Sequence, residues 1–263
     1  MRIQNTGTIT MPWTHWMIYG ETGSGKTKLA STFPDPLFLV PANEGSELTL
    51  LGTDFPFVKI GRDDNGKPMA ARHHMGLVLD TLETRHAQML KLYAEAEAAE
   101  DDALEARCLA AAVEAFPWQT IVVESLSHYC DMLVEDISRG GQKKMDMQGW
   151  GALGSHLRSV HSRLRNFDCH VVFTALAKIV EGPSGGAVAG KPNIVGQMAD
   201  KLPSACDVIG YCETMPGGTK GAPRIFRTHF EKYKYFPARS RFPGFPKFAD
   251  NFTFAQVQSH LGL

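Results

Sequence analysis

The stretch Trp16-Met17-Ile18-Tyr19-Gly20-Glu21-Thr22-Gly23-Ser24-Gly25-Lys26-Thr27 decides how the chain is read. Its first half, preceded by His15, is short, apolar and aromatic and runs straight into glycines, which predicts a buried strand ending in a turn. Its second half has the pattern GxxxxGK[ST]. That pattern needs glycine because backbone N–H groups must converge on phosphate oxygens, and a Cβ or ordinary φ/ψ values would prevent it. Gly20, Glu21, Thr22, Gly23, Ser24, Gly25, Lys26 and Thr27 are therefore the expected nucleotide-binding residues. Lys26 would reach the β- and γ-phosphates and Thr27 would offer its hydroxyl to a metal, so ATP and Mg²⁺ are the expected cofactors. Residues 26–32 then read as a helix stopped before Pro34, its positive dipole end turned to the anion.

Working outward, residues 36–40, 57–60, 120–124, 169–174, 207–212 and 224–228 are short apolar or β-branched runs, and residues 126–138 and 151–165 have helical character. Strands alternating with helices predict an α/β fold, a mostly parallel central sheet flanked by helices. Residues 75–115 are rich in Ala, Leu and Glu with apolar residues at helical spacing, which predicts one long helix or a hairpin inserted at about residues 70–116. Its acids Glu95, Glu97, Glu100, Asp101, Asp102 and Glu105 read as a solvated face, with a partner surface as the other option. Residues 181–196 are polar and glycine-rich, the pattern of a mobile loop. Residues 252–261 read as a closing helix.

Composition narrows the class. With 43% hydrophobic and 21% charged residues the chain has ordinary globular make-up, which excludes disorder and collagen-like repeats. No Pro/Gly/Ser-rich linker divides it, so a single domain over residues 1–263 is expected. A net charge of −1 carries no global signal for nucleic acid, so any polyanion site must come from local clustering. The cysteines Cys108, Cys130, Cys169, Cys206 and Cys212 are odd in number and include no CxxC pair. That argues against a disulfide framework or zinc site and for a reducing, cytoplasmic setting. No run of about 18 apolar residues is present, and no membrane contact is expected.

Three further features carry chemistry. Ile121-Val122-Val123-Glu124 is an apolar strand tipped by a carboxylate, the place of an acid that holds the water shell of a P-loop Mg²⁺; aspartate is commoner there, but the longer side chain still permits a water-mediated contact. Glu44, just after the strand that follows the P-loop helix, is placed to orient or deprotonate an attacking water, with Glu47 as its rival. Thr174, at the tip of another strand, is either a γ-phosphate sensor or a plain core residue. Finally, residues 219–247 gather Lys220, Arg224, Arg227, Lys232, Lys234, Arg239, Arg241 and Lys247 against the acid Glu231, interleaved with Tyr233, Tyr235, Phe236 and Phe242. Single-stranded nucleic acid, a subunit interface, or a strand with core aromatics and solvated charges all fit this pattern.

In this order the pieces resemble the RecA-like AAA-type P-loop ATPases encoded by bacteriophages, which include phage nucleotide-binding proteins and single-strand-annealing recombinases. The resemblance is carried by WMIYGETGSGKTKLASTFPDPLFLVPANEGS at residues 16–46, WQTIVVESLSHY at 118–129, QGWGALGSHLRSVHSRLRNFDCHVVFTALAK at 148–178 and KYKYFPARSRFPGFP at 232–246. It implies a RecA-like fold with Lys26 and Thr27 as nucleotide ligands, Thr27 and Glu124 on the metal side, and Glu44 as catalytic glutamate. It also implies that Arg239 and Arg241 act across a subunit interface, and that Lys143, Lys144 and Lys191 lie in DNA-facing loops. The implied function is ATP-driven binding of single-stranded DNA in phage recombination, annealing or replication, in the host cytoplasm, by a homo-oligomeric ring or filament. A single-strand DNA-binding protein or a replication protein is the implied partner. A helicase-loader-like module using the acidic helical arm is the alternative. A small-molecule or nucleotide kinase is weighed against by residues 181–196, which hold Lys191 but no arginine for a lid.

Overall fold

The structure, a computed structural model, describes residues 13–182, 185–217 and 222–261. The P-loop strand β1 (His15–Gly20) is followed by α1 (Lys26–Ala30), β2 (Pro36–Pro41), a 3-10 turn (Ser46–Leu50) and β3 (Phe57–Ile60). A helical hairpin comes next, α2 (Ala71–Glu97) and α3 (Asp102–Ala115), then β4 (Thr120–Val123), α4 (Leu126–Ser138), α5 (Met147–Leu164) and β5 (His170–Glu181). The last third holds β6 (Ala187–Pro192), α6 (Met198–Ala205), β7 (Val208–Met215), β8 (Ile225–His229), β9 (Arg239–Ser240), β10 (Phe248–Asp250) and α7 (Phe254–Leu261).

The main sheet runs β10-β8-β7-β1-β5-β4-β2-β3, with β6 paired to β5 and β9 to β7. From β3 to β7 every pairing is parallel; β8, β10, β6 and β9 are antiparallel additions. This is the expected α/β arrangement, a mostly parallel central sheet flanked by helices, with β5 inserted between the P-loop strand and the acid-tipped β4.

Both faces of the sheet are covered, and the sequence shows why. Side chains alternate across a strand, so Met17 and Tyr19 enter one apolar layer while Trp16 and Ile18 enter the other. The first layer packs α2, α4, α5 and α6 through Met75, Leu133, Leu157 and Leu202. The second packs α1 and α7 through Leu29, Phe254 and Val257. A continuous apolar run is what a strand buried on both faces requires. Trp16 has no exposed surface, and truncating such a side chain to Ala costs about 3–5 kcal/mol.

Two expectations change. The P-loop helix stops at Ala30 rather than at residue 32, where Thr32 and Ser31 turn their hydroxyls onto the carbonyls of Leu29 and Lys28 and close the last turn. Of the two forms expected for the Ala/Glu-rich segment the structure has the hairpin, broken where the Asp101 carboxylate caps α3 by accepting from Ala103 N–H. Residues 181–196 are not simply a loop. β5 continues past the expected end to Glu181, and β6 pairs back on it from Pro192 opposite Ala177 to Ala187 opposite Glu181. Alternation of small and branched residues, Ala187-Val188-Ala189-Gly190, is compatible with a strand, and glycine content hid it.

Gly190 fixes where this hairpin sits. Its N–H donates to Tyr235 carbonyl at 2.9 Å, and a Cβ there would lie 2.2 Å from the Phe236 ring. We expect Gly190→Ala to destabilise the protein by about 1–3 kcal/mol in denaturant unfolding, the usual cost of overpacking. The same substitution beside Phe236→Leu should cost less than the sum of the two single changes. Additivity would show that the two residues do not press on each other.

Candidate functional site

The P-loop joins β1 to α1 at the C-terminal end of the parallel strands. Gly20 has no room for a side chain, since a Cβ would lie 2.2 Å from Cys212 carbonyl on β7 and 2.6 Å from Ser24 Oγ. Gly25 has φ +88°, a left-handed conformation that glycine adopts without penalty, and it packs against the Phe226 ring. Thr214 Oγ1 on β7 donates to Gly23 carbonyl at 3.0 Å, tying the loop to its neighbouring strand.

Lys26 is buried, and its Nζ donates to the carbonyls of Gly20 and Glu21 at 3.1 and 2.8 Å. Burial lowers its pKa, with the charges of Glu124, Cys212, Glu44 and Glu21 opposing. Thr27 Oγ1 donates to Glu124 Oε1 at 3.0 Å, so the P-loop helix and the tip of β4 meet across the intervening β5. Glu124 is only 2% exposed, and burial pushes its carboxyl up to about 7 against hydrogen bonds from Thr174 and Thr27 and the charge of Lys26. Thr174 is fully buried, so its hydroxyl serves the Glu124 carboxyl and the Val123 carbonyl.

Lys26, Thr27, Glu44 and Glu124 line one cavity of about 590 Å³ together with P-loop residues Thr22, Gly23 and Gly25. That is room for a nucleotide. Glu47, the rival of Glu44, is ion-paired to Lys59 instead. Two further residues of the same cavity, Ser125 and His128, escaped the sequence reading. They follow the acid of β4 by one and four positions, which places both at the start of α4, and that spacing is a signal that could have found them.

The donor set fits a magnesium-bound triphosphate. The loop supplies glycines with left-handed φ at Gly23 and Gly25, and Ser24 Oγ, Ser125 Oγ and His128 Nδ1 are buried polar atoms with no hydrogen-bond partner among the described residues. Buried polar atoms are ordinarily satisfied, and phosphate oxygens with their water shell would satisfy these. No group of three His, Cys, Asp or Glu side chains among the described residues could cage a metal. Mg²⁺ needs none, because it takes one or two protein oxygens and completes its shell with phosphate and water.

The other expected site residues lie elsewhere. β9 pairs with Val208 and Ile209 at the start of β7, whereas the P-loop end of β1 lies beside Cys212 farther along that strand. Arg239 there donates to the carbonyls of Ser204 and Cys206, and Arg241 to Ser204 carbonyl and the Asp207 carboxylate. Arg227 is paired with Asp250 and Lys247 with Glu231, while Phe236 is in the core and Tyr233, Tyr235 and Phe242 pack against it. The aromatics of the run are thus packed and Arg227, Arg241 and Lys247 are ion-paired, while Arg224, Lys232 and Lys234 are exposed and Lys220 falls outside the described residues. Lys143 and Lys144 are exposed between α4 and α5, Lys143 within 3.3 Å of Asp146, and Lys191 is half-buried on β6. No described helix is long and apolar enough to cross a membrane.

The raised pKa of Glu124 has a measurable sign. Below about 4.5 the acid is protonated in both states; between about 4.5 and 7 the unfolded chain ionises while the folded chain keeps its proton; above that the folded chain holds a buried charge. Stability from this group is therefore lost as pH rises through that window. Burial also lowers His156, His161 and His170 to about 4, which acts in the opposite direction. Those terms cancel between wild type and Glu124→Gln. The melting temperature of Glu124→Gln without nucleotide should gain on wild type as pH rises from 4.5 to 7, and a pH-independent difference would contradict a buried, proton-holding Glu124.

Two solved structures are similar to this chain. A KaiC-like protein from the hyperthermophilic archaeon Pyrococcus horikoshii OT3 is 13% identical over 83% of this chain and 79% of its own, with a TM-score of 0.42. A prototypical ATPase from the type III secretion system of pathogenic bacteria is 12% identical over 76% of this chain, with a TM-score of 0.43; this chain spans 51% of its length. No curated protein matches. The family model described as AAA domain matches residues 14–242, so the chain belongs to the AAA domain family and is a P-loop ATPase that uses ATP and Mg²⁺.

Proposed function

We propose that this ATPase binds single-stranded DNA and works in DNA recombination, annealing or replication, as an oligomer whose subunits share the nucleotide. In its own site Lys26 neutralises the β- and γ-phosphates, and Thr27 with Glu124 holds the Mg²⁺ side. Glu44 orients the attacking water. These four groups converge on one cavity, which is what phosphoryl transfer asks of a protein, namely positioning and charge neutralisation.

The observation that carries the DNA reading is the surface at the start of α5. Trp150 is 44% and Met147 91% exposed, beside the exposed Lys143 and Lys144. An aromatic face next to cations that follow a phosphate backbone is the pairing that holds unpaired bases. The loop before them, at Arg139 and Gly140, lines a cavity with Asn43, the neighbour of Glu44, so base contact and hydrolysis have adjoining walls. The acidic hairpin adds a surface for a protein partner. Arg239 and Arg241, held at the far end of β7, would meet a nucleotide only on a neighbouring subunit.

Fluorescence anisotropy with labelled single-stranded DNA, with and without ATP and Mg²⁺, tests this. Binding should respond to ATP, and Lys143→Ala with Lys144→Ala should lower the salt slope by about 0.7 per lysine. Trp150→Ala should weaken binding by about fivefold or more. DNA binding that ignores ATP, or its absence, would overturn the proposal. Lys26→Ala should stay folded and lose ATP binding; retained turnover would remove Lys26 from the mechanism.

A further inference from the structure

We infer that Phe226 is the platform on which the nucleobase stacks, which makes β8 the strand that tells a nucleotide from bare polyphosphate. The inference rests on the reading of the cavity as a nucleotide site. The cavity has two ends. Glu44, Glu124, Ser125 and His128 sit toward β2 and β4, on one side of the P-loop strand, and mark where the γ-phosphate and metal belong. Phe226 lies on β8, on the other side of that strand beyond β7. A triphosphate laid along the loop with its γ end at Glu124 points its ribose and base toward β8.

Phe226 is unusual among the aromatic residues near the loop. It belongs to neither apolar layer of the described residues, it is half-buried, and it lines the cavity itself. Its ring edge rests on Gly25, where an added Cβ would come within 2.7 Å. Its face carries the Lys28 ammonium 5.0 Å from the centroid. A face covered by an exposed side-chain cation rather than by an apolar neighbour can instead take a flat aromatic ring, and a purine offers one. Lys28 follows the helix start by two residues and, moved aside, stays within the same cavity to meet the α-phosphate. The backbone that carries the ring is fixed because Phe226 N–H donates to Asn251 Oδ1 at 3.3 Å and its carbonyl accepts from Asn251 N–H at 2.7 Å.

The test compares ATP with inorganic tripolyphosphate, each with Mg²⁺, by calorimetry on wild type, Phe226→Ala and Phe226→Trp. Phe226→Ala should weaken ATP by about tenfold or more and leave tripolyphosphate unchanged, while Phe226→Trp should keep ATP affinity. Equal losses for both ligands would mean that Phe226 only props Gly25, and no loss for either would mean that the base lies elsewhere; each overturns the inference. Wild type that binds tripolyphosphate as tightly as ATP overturns it too. Wild type that binds neither overturns the nucleotide reading beneath it.

Discussion

The hydrogen bond from Thr27 Oγ1 to Glu124 Oε1 joins two points 97 residues apart, and the site exists only because the sheet brings them together. Thr27 is fixed by the P-loop, whose glycines let the backbone turn after β1, and Glu124 by its place directly after β4, where its N–H donates to Leu39 carbonyl of β2. Between these strands runs β5, and Thr174 on it steadies the same carboxyl. A carboxyl buried this far is costly unless its partners are in place. The raised proton affinity of Glu124 is the residue of that cost, and it is the term a magnesium ion would reverse, since a cation favours the carboxylate.

Much of this was legible in the sequence because it is local. The P-loop is one uninterrupted stretch, and a β-branched run ended by an acid announces both a strand and its tip. Glu44 could be named because parallel order sends the end of the next strand to the same side of the sheet. What stayed hidden depends on contacts between distant segments. Nothing in Lys59 says that it pairs with Glu47, whereas Glu44 lines the cavity beside Glu124. Nothing in the sequence around Phe226 says that it touches Gly25, far earlier in the chain but adjacent in space. Residues 181–196 misled for a different reason: strands formed from Ala, Val and Gly look like loop by composition, and their pairing is decided by the strand they return to.

The basic-aromatic run shows how charge in sequence and charge in space differ. Arg239 and Arg241 look like free cations beside each other, yet both reach the carbonyl of Ser204, and Arg241 also reaches Asp207. Asp207 in turn accepts from His15 N–H at the start of the P-loop strand. These arginines therefore close the end of α6 and the foot of β1 and β7. Arg224, Lys232 and Lys234 of the same run are exposed, as are Lys143 and Lys144 between α4 and α5.

The aromatic side chains of the same run have a second consequence. Tyr211 on β7 stacks on Phe236 with centroids 4.0 Å apart and planes 10° apart, and Phe236 in turn presses on Gly190 of β6. On the other side, β7 holds the P-loop through Thr214 and Gly23. The loop that takes phosphate and the hairpin that bears Lys191 are thus connected through β7 and Phe236. Close-packed contacts of this kind pass on displacements instead of absorbing them. A shift of the P-loop by a bound triphosphate would therefore reach β6 through β7 and Phe236, and the hairpin would respond as a body, not residue by residue.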